Sequence, residues 1–251
     1  MKTLAIINQK GGVGKSTTAQ ALAAGLALKG YRVLTVDLDP QGNTSFSLGA
    51  GTDGATALGV LLAEVKPADA IQPTKYGDVI AGSKALAGAD AFLTEIGKEY
   101  KLKEALEQVG GGYDYIVIDT PPALGILTIN ALTACDSVII PAQADIYSLQ
   151  GIADLADTIK QIKKYCNPAL TIEGILFTRY SSRSAFNKEL AELAGELAAK
   201  LGTRVFTTTI REAVAVKKAQ AAQQSLFEYD PKAKVTEDYK ALVGELLGEE
   251  L

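Results

Sequence analysis

The sequence contains no histidine and only two cysteines among its 251 residues. The absence of histidine excludes Ser-His-Asp triads and histidine acid–base catalysis. Cys135 and Cys166 do not have the spacing of a zinc site or form a disulfide framework, so we expect a cytoplasmic protein. Apolar runs in the sequence fall well short of the roughly 20 residues that span a bilayer. These absences predict no membrane partner.

Positive charge is scarce overall but locally concentrated. The formal net charge is −4, which argues against a chain that is basic throughout. Residues 160–234 nevertheless hold 13 Lys or Arg against 7 Asp or Glu, while the rest of the chain is acidic. Such a region can form an anion-binding face. Solvated helix faces would give the same counts, so charge alone leaves both interpretations open.

Short β-branched runs alternate with helical patterns along the chain. The runs typical of buried strands are Leu4–Asn8, Val33–Asp37, Tyr115–Asp119, Ser137–Pro141, Ile172–Thr178 and, more weakly, Val205–Thr208. Helical spacing covers Ser16–Lys29, Leu149–Tyr165 and Asn187–Leu201. This alternation predicts an α/β fold with a doubly wound, mostly parallel sheet flanked by helices.

The chain length and the 47% hydrophobic content predict a single domain over residues 1–251. The Ala- and Gly-rich residues 50–112 are harder to divide, and we expect one or two helices and a short strand around Asp78–Ile80 there. Because the strand pattern starts close to Met1, we expect no N-terminal helix-turn-helix extension.

A glycine-rich loop follows the first predicted strand and precedes the first predicted helix. The loop runs Lys10, Gly11, Gly12, Val13, Gly14, Lys15, Ser16 and Thr17. Glycines allow successive backbone N–H groups to point at phosphate oxygens, and the helix N-terminus adds its dipole. Lys15 can neutralise the β and γ phosphates, and the Ser16 hydroxyl can bind Mg²⁺. The loop therefore predicts ATP and Mg²⁺ as cofactors, although a glycine turn without a ligand is the plainer alternative.

Three carboxylates stand at the ends of predicted strands, where open α/β sheets bind ligands. Asp37 and Asp39 follow the second strand, and either could hold or polarise an attacking water. Asp119 ends the apolar run Tyr115–Asp119, so its carboxylate could reach Mg²⁺, with Asp39 as a weaker metal ligand. Each aspartate could instead only cap a turn or a helix.

The loop sequence KGGVGKST resembles the deviant Walker A motif of the ParA/MinD group. The segments DLDPQGN at 37–43 and DTPP at 119–122 are similar to that group's second motif and switch region. The resemblance implies an ATP-dependent homodimer in which Lys10 reaches the partner subunit's nucleotide. It also implies that Asp39 supports hydrolysis and that Asp37 assists.

Later segments resemble the ParA/Soj branch of the group more specifically. They are 141–151, 177–180, 210–220 and 227–232. This resemblance implies a slow ATPase that binds double-stranded DNA without sequence preference and works with a ParB-like activator on the nucleoid. Arg211 and Ala213 stand where residues of the family frame the base. The candidate DNA contacts are Arg183, Arg211, Lys217, Lys218, Lys232 and Lys234.

Two other functions share the same nucleotide motifs. A MinD-like membrane-associated positioning ATPase would need a basic amphipathic tail, whereas the tail here, residues 239–251, is amphipathic but acidic. A nucleotide-gated scaffold would keep the binding motifs; it could bind DNA with negligible turnover, or it could hold a protein cargo. The type of cargo is not encoded in any of these motifs.

Overall fold

The fold is organised around a seven-stranded sheet. The structure, a computed structural model, describes residues 1–182 and 184–249. The strands are β1 (Lys2–Ile6), β2 (Val33–Asp37), β3 (Ile71–Thr74), β4 (Gly77–Ile80), β5 (Tyr115–Asp119), β6 (Ser137–Ala142) and β7 (Thr171–Phe177). Their order across the sheet is β3-β4-β2-β5-β1-β6-β7, and only the β3–β4 pair is antiparallel. The predicted doubly wound, mostly parallel α/β fold is confirmed.

Helices connect the strands and cover both faces of the sheet. They are α1 (Lys15–Leu28), α2 (Asn43–Leu48), α3 (Ala57–Leu61), α4 (Pro67–Ala70), α5 (Ala89–Phe92), α6 (Lys101–Val109), α7 (Ile126–Ala134), α8 (Ile146–Tyr165), α9 (Ala185–Lys200), α10 (Val214–Ala221), α11 (Leu226–Tyr229) and α12 (Lys234–Leu247). Among the described residues, no helix is both long enough and apolar enough to cross a membrane.

The core lies in two apolar layers, one on each face of the sheet. In β1, Leu4 and Ile6 belong to one layer and Ala5 to the other, because successive side chains of a strand point to opposite faces. The strands are thus apolar on both sides, which explains why their sequences read as continuous β-branched runs.

Two local predictions differ from the structure. The predicted strand Val205–Thr208 is wrong: the segment makes a single isolated bridge to the edge strand β7, between Val205 and Ile175. The backbone N–H groups of Thr207 and Thr208 donate instead to the Glu245 carboxylate, at 2.9 Å each. The first strand is also shifted, to Lys2–Ile6.

Residues 50–112 are also more divided than we predicted. The expected short strand is present as β4, but a second strand, β3, pairs with it as the antiparallel edge. The segment also contains four α-helices and three short 3-10 helices. The β3 strand contains Pro73, which is tolerated there because an edge strand need not donate on its outer side. A proline in so short a run hides the strand in the sequence.

Strand order brings the candidate site together. β5 lies between β1 and β2, and Asp119 is in register with Ile6 on one side and with Asp37 on the other. The phosphate loop follows β1 directly. The carboxyl ends of these three neighbouring strands therefore deliver the loop and the aspartates to one point of the sheet edge.

Candidate functional site

The glycine-rich loop curls between β1 and α1. Gly12 and Gly14 have positive φ angles of 76° and 86°, a region that favours glycine, whereas Gly11 does not need it. The Thr178 hydroxyl donates to the Val13 carbonyl at 2.8 Å, which ties the loop to the end of β7. Helix α1 begins at Lys15, so the N–H groups of its first turn have no partners within the helix. The loop and the helix end together form an anion site.

Lys15 is buried beneath this loop. Its Nζ lies 3.4 Å from the Lys10 carbonyl oxygen. Burial lowers the pKa of Lys15, and the nearby charges of Asp119 and Asp39 oppose that effect. A buried ammonium at the base of the phosphate loop is well suited to neutralise an anion bound there.

Lys10 is held within its own chain. Its Nζ lies 2.6 Å from Asp145 Oδ2 and 3.4 Å from Ser148 Oγ, at the start of helix α8. Burial alone would raise the pKa of Asp145, but hydrogen bonds from Lys10 and Ser148 outweigh it and hold that pKa below its usual value. The predicted reach of Lys10 toward a partner's nucleotide therefore requires this ion pair to open.

Asp119 is fully buried and only half satisfied. Its Oδ2 accepts a hydrogen bond from the Thr44 hydroxyl at 2.7 Å, while its Oδ1 has no hydrogen-bond partner. Burial and the neighbouring charge of Asp37 raise the pKa of Asp119 to about 7, although the Thr44 and Ser16 hydroxyls favour the ionised form. An unsatisfied buried carboxylate oxygen is costly and calls for an explanation.

Asp37 and Asp39 have different surroundings. Both oxygens of Asp37 are occupied, by the N–H of Asp39 at 3.1 Å and by the N–H and hydroxyl of Ser45 at 2.8 and 2.7 Å. Burial raises the pKa of Asp37 against these hydrogen bonds. Asp39 Oδ1 accepts from the Gln41 N–H at 3.0 Å. Asp37 thus braces the loop that carries Asp39.

The donor set fits Mg²⁺ held mainly by phosphate and water. The described residues contain no cluster of three or more His, Cys, Asp or Glu side chains that could hold a metal alone. The free Asp119 Oδ1 and the Ser16 hydroxyl at the first turn of α1 are the candidate oxygen ligands. Because Mg²⁺ keeps several waters and uses few carboxylates beside substrate phosphates, this set is sufficient.

A cavity of about 130 Å³ opens beside the loop, against Gly14 and Thr17. Arg211 and Ala213, the predicted base contacts, line its wall. Arg211 also pairs with Asp238 through two bonds of 2.7 Å, so its charge is largely balanced. This geometry places Arg211 in the wall of the cavity beside the phosphate loop rather than on a free basic surface.

The remaining candidate DNA contacts lie on the surface. Lys217 and Lys218 are exposed on α10, Lys232 is exposed before α12, and Lys234 is exposed at its start. Arg183 lies outside the described residues. A second basic group, which we did not single out from the sequence, surrounds a groove of about 530 Å³ at the amino end of β7; its lysines are Lys160, Lys163, Lys164 and Lys200.

Three further residues shape the site without a sequence signal of their own. Ser45 and Thr44 bind Asp37 and Asp119, and Gly82 donates its N–H to Ser45 Oγ at 2.9 Å. A Cβ on Gly82 would lie 2.9 Å from the Asp37 carbonyl oxygen. These residues follow β2 and β4, so only the strand order, which brings those ends together, identifies them.

The fold and the loop define a P-loop nucleotide-binding protein. A family model described as "AAA domain" matches residues 1–172. The sporulation initiation inhibitor protein Soj of Bacillus subtilis is 41% identical over 250 residues, covering 98% of each chain. The chromosome partitioning protein ParA of Caulobacter vibrioides is 38% identical over 257 residues, covering 100% of this chain and 95% of its own. The chain therefore belongs to the ParA/Soj family of ATPases.

Solved structures agree with this assignment of the fold. A Mycobacterium smegmatis protein named cobyrinic acid a,c-diamide synthase, solved with an ATP analogue and magnesium, superposes with a TM-score of 0.85. It is 35% identical, and the match covers 98% of this chain and 94% of that one. The similarity extends through all seven strands rather than through the phosphate loop alone.

Proposed function

We propose that this chain is a ParA-like positioning ATPase that binds Mg²⁺ and ATP, forms a homodimer with ATP and holds DNA cargo. The observation that carries the proposal is the meeting of Lys15, Asp39 and a half-satisfied Asp119 at the phosphate loop. The partitioning relatives align with nearly the whole chain, which supports the same use of that site.

The nucleotide site divides the work among a few side chains. Lys15 and the N–H groups of the loop hold the phosphates, and Ser16 and Asp119 hold Mg²⁺, which supplies further neutralisation of phosphate charge. Asp39 orients the attacking water. Asp37 positions Asp39 by accepting a hydrogen bond from the Asp39 backbone N–H. Phosphoryl transfer depends mostly on such positioning, so hydrolysis is slow until the assembly is complete.

Completion of the site comes from dimerisation and from a partner. Lys10 must leave Asp145 before it can reach the partner subunit's nucleotide. The free energy needed to break this ion pair makes dimerisation correspondingly weaker. A ParB-like activator bound to cargo stimulates hydrolysis and releases the dimer. Exposed lysines on α10 and near α12 bind DNA through phosphate charge, without reading the bases.

The test is binding to arbitrary duplex DNA without nucleotide, with ADP and with ATP, at two salt concentrations. We expect binding only with ATP, and we expect it to weaken steeply at the higher salt concentration. Lys15→Ala is the nucleotide-binding control, since it removes the buried ammonium and with it ATP affinity and DNA binding. An absence of DNA binding in every state would contradict the DNA part of the proposal and direct attention to a membrane or a protein cargo.

A further inference from the structure

A chain of side-chain hydrogen bonds connects the exposed basic helix α10 with the buried carboxylate Asp119. It begins at Gln220, on the same helix as Lys217 and Lys218. Gln220 Nε2 lies 3.2 Å from Thr17 Oγ1 and 3.2 Å from Gln20 Oε1. Both hydrogens of this amide are therefore directed at helix α1, which carries the phosphate loop at its start.

The next link joins α1 to α2. Gln20 Nε2 lies 3.4 Å from Thr44 Oγ1 and 3.3 Å from the Asn43 carbonyl oxygen. The Thr44 hydroxyl in turn donates to Asp119 Oδ2 at 2.7 Å. Every donor in the chain points the same way, from the protein surface toward the one carboxylate whose other oxygen is unsatisfied.

A further hydrogen bond joins the turn after α10 to helix α2. Gln223, just after the helix, donates from Nε2 to the Phe46 carbonyl oxygen of α2 at 3.0 Å. Helix α10 is thus bonded to α1 through Gln220, and the turn that follows it is bonded to α2 through Gln223. Helix α2 follows the loop that carries Asp39. The position of the basic helix α10 is therefore fixed by segments that adjoin the phosphate loop and the proposed metal site.

We propose that Gln220, Gln20 and Thr44 form a relay that couples the occupancy of the nucleotide site to the position of the basic helix α10. Gln220 and Gln20 are positioning residues because they act on Asp119 through Thr44 and do not bond to it themselves; Gln220 also lines the cavity beside the phosphate loop. This inference rests on the proposed function for its DNA readout. Its structural core, the dependence of α10 on nucleotide, can be measured without DNA.

The DNA experiment compares affinities at saturating ATP and at saturating ADP. Saturation removes any effect of the substitutions on nucleotide affinity itself. In the unsubstituted protein the ratio of the two affinities measures the coupling. We expect Gln220→Ala to lower that ratio about fivefold, the size expected from losing hydrogen bonds in a coupled network. Gln161→Ala, an exposed glutamine on α8, is the matched control and leaves the ratio unchanged.

A double-mutant cycle separates the relay from two unrelated losses. If Gln20 and Gln220 act through one chain, Gln20→Ala with Gln220→Ala lowers the ratio no further than either single change. Multiplicative effects would overturn the relay, because they would show two independent contributions. An unchanged ratio in Gln220→Ala would also overturn it, because ATP would then control DNA binding through dimerisation alone.

Amide hydrogen exchange of residues 214–222 provides the readout without DNA. We expect ATP, but not ADP, to change exchange in the unsubstituted protein and in Gln161→Ala, and we expect that change to disappear in Gln220→Ala. A nucleotide effect on exchange without any DNA binding would retain the relay and reject the DNA function. If DNA binding depends on ATP but the exchange response persists in Gln220→Ala, the DNA function is retained and the relay is rejected.

Discussion

The unsatisfied oxygen of Asp119 is the residue-scale feature that most directly reports on function. A buried carboxylate that gives up a hydrogen bond destabilises the nucleotide-free protein, and proteins retain such groups where a ligand satisfies them. The neighbouring Asp37 has every oxygen occupied, so the deficit is specific to the position that faces the phosphate loop. Under the proposed function, this loss of stability leaves an oxygen available as a metal ligand.

This deficit predicts a pH-dependent effect of Asp119→Asn on the nucleotide-free protein. Burial raises the pKa of Asp119 to about 7, above the roughly 3.9 of an unfolded aspartate. The folded state therefore holds the extra proton between these values, and the contribution of Asp119 to stability is lost as pH rises through 7. Asparagine does not ionise, so the variant escapes that loss.

At pH 8 we expect Asp119→Asn to be more stable than the unsubstituted protein by about 1–3 kcal/mol in the free energy of unfolding. Its unfolding temperature should therefore be several degrees higher. The difference should shrink at pH 5, and ATP with Mg²⁺ should no longer stabilise the variant. Thermal unfolding at both pH values measures this, with the exposed Asp53→Asn as control. A variant that is less stable at pH 8 would mean that the Asp119 charge is already compensated.

At the scale of elements, the start of helix α8 holds Lys10, the lysine that precedes the glycines of the phosphate loop. Asp145 caps this helix through the Ser148 N–H at 2.9 Å and holds Lys10 at 2.6 Å with its other oxygen. One residue therefore serves as helix cap and as competitor for the group proposed to act across the dimer. Because the pair is partly exposed, its strength is modest, about 0.2–1 kcal/mol.

Asp145→Asn separates these two roles, since asparagine is also a good helix cap. We expect ATP-dependent dimers to form at a protein concentration about two- to fivefold lower, because Lys10 no longer has to leave a carboxylate. Light scattering against protein concentration measures the shift. Asp157→Asn breaks the Lys160–Asp157 pair on the same helix and is the matched control. A weaker dimer in Asp145→Asn alone would show that the ion pair assists assembly.

The elements also show how far sequence reasoning reaches. The parallel strands and long helices were predictable because buried β-branched runs and helical spacing arise from local chemistry. The loop and Asp37, Asp39 and Asp119 were predictable because each lies at or just beyond the carboxyl end of a strand. The strand β3 was hidden by Pro73. The predicted strand Val205–Thr208 failed because Glu245, distant in sequence, accepts the N–H groups of Thr207 and Thr208.

The relay residues were unpredictable for the same reason. Gln20 and Gln220 are ordinary polar residues within their helices, and only the packing of α10 against α1 and α2 makes them neighbours. Thr44 and Gly82 lie at the site only because the order of the strands brings the ends of β2, β4 and β5 together. Sequence motifs thus identify groups that touch a ligand more readily than groups that support them.

At the scale of the whole molecule, the proposed function makes hydrolysis and assembly opposing steps. Asp39 lies beside the nucleotide site without a role in holding the phosphates, so Asp39→Ala should bind ATP yet fail to hydrolyse it. We expect this variant to remain a dimer with ATP for hours on size exclusion, whereas the unsubstituted protein returns to monomer as ATP is consumed. Lys15→Ala, which loses ATP, should stay monomeric. A monomeric Asp39→Ala with bound ATP would contradict the role of Asp39 in turnover.

The molecule carries exposed lysines at two ends of its sheet, and only one set adjoins the nucleotide site. Helix α10, with Lys217 and Lys218, is bonded to α1, whereas Lys163 and Lys164 line the groove at the amino end of β7. A DNA surface controlled by ATP belongs on the first set. The second set also has a plain structural use, because lysines in the last turn of α8 balance the helix dipole.

Matched charge reversals decide between the two faces. We expect Lys217→Glu with Lys218→Glu to abolish ATP-dependent DNA binding while leaving ATP affinity intact. We expect Lys163→Glu with Lys164→Glu to cost some stability and little DNA affinity. Log affinity against log salt concentration gives the finer measure, since each lost phosphate contact lowers the slope by roughly 1. If only the second pair changes the slope, DNA lies across the groove at β7, and the control by ATP must act through dimer geometry instead of through α10.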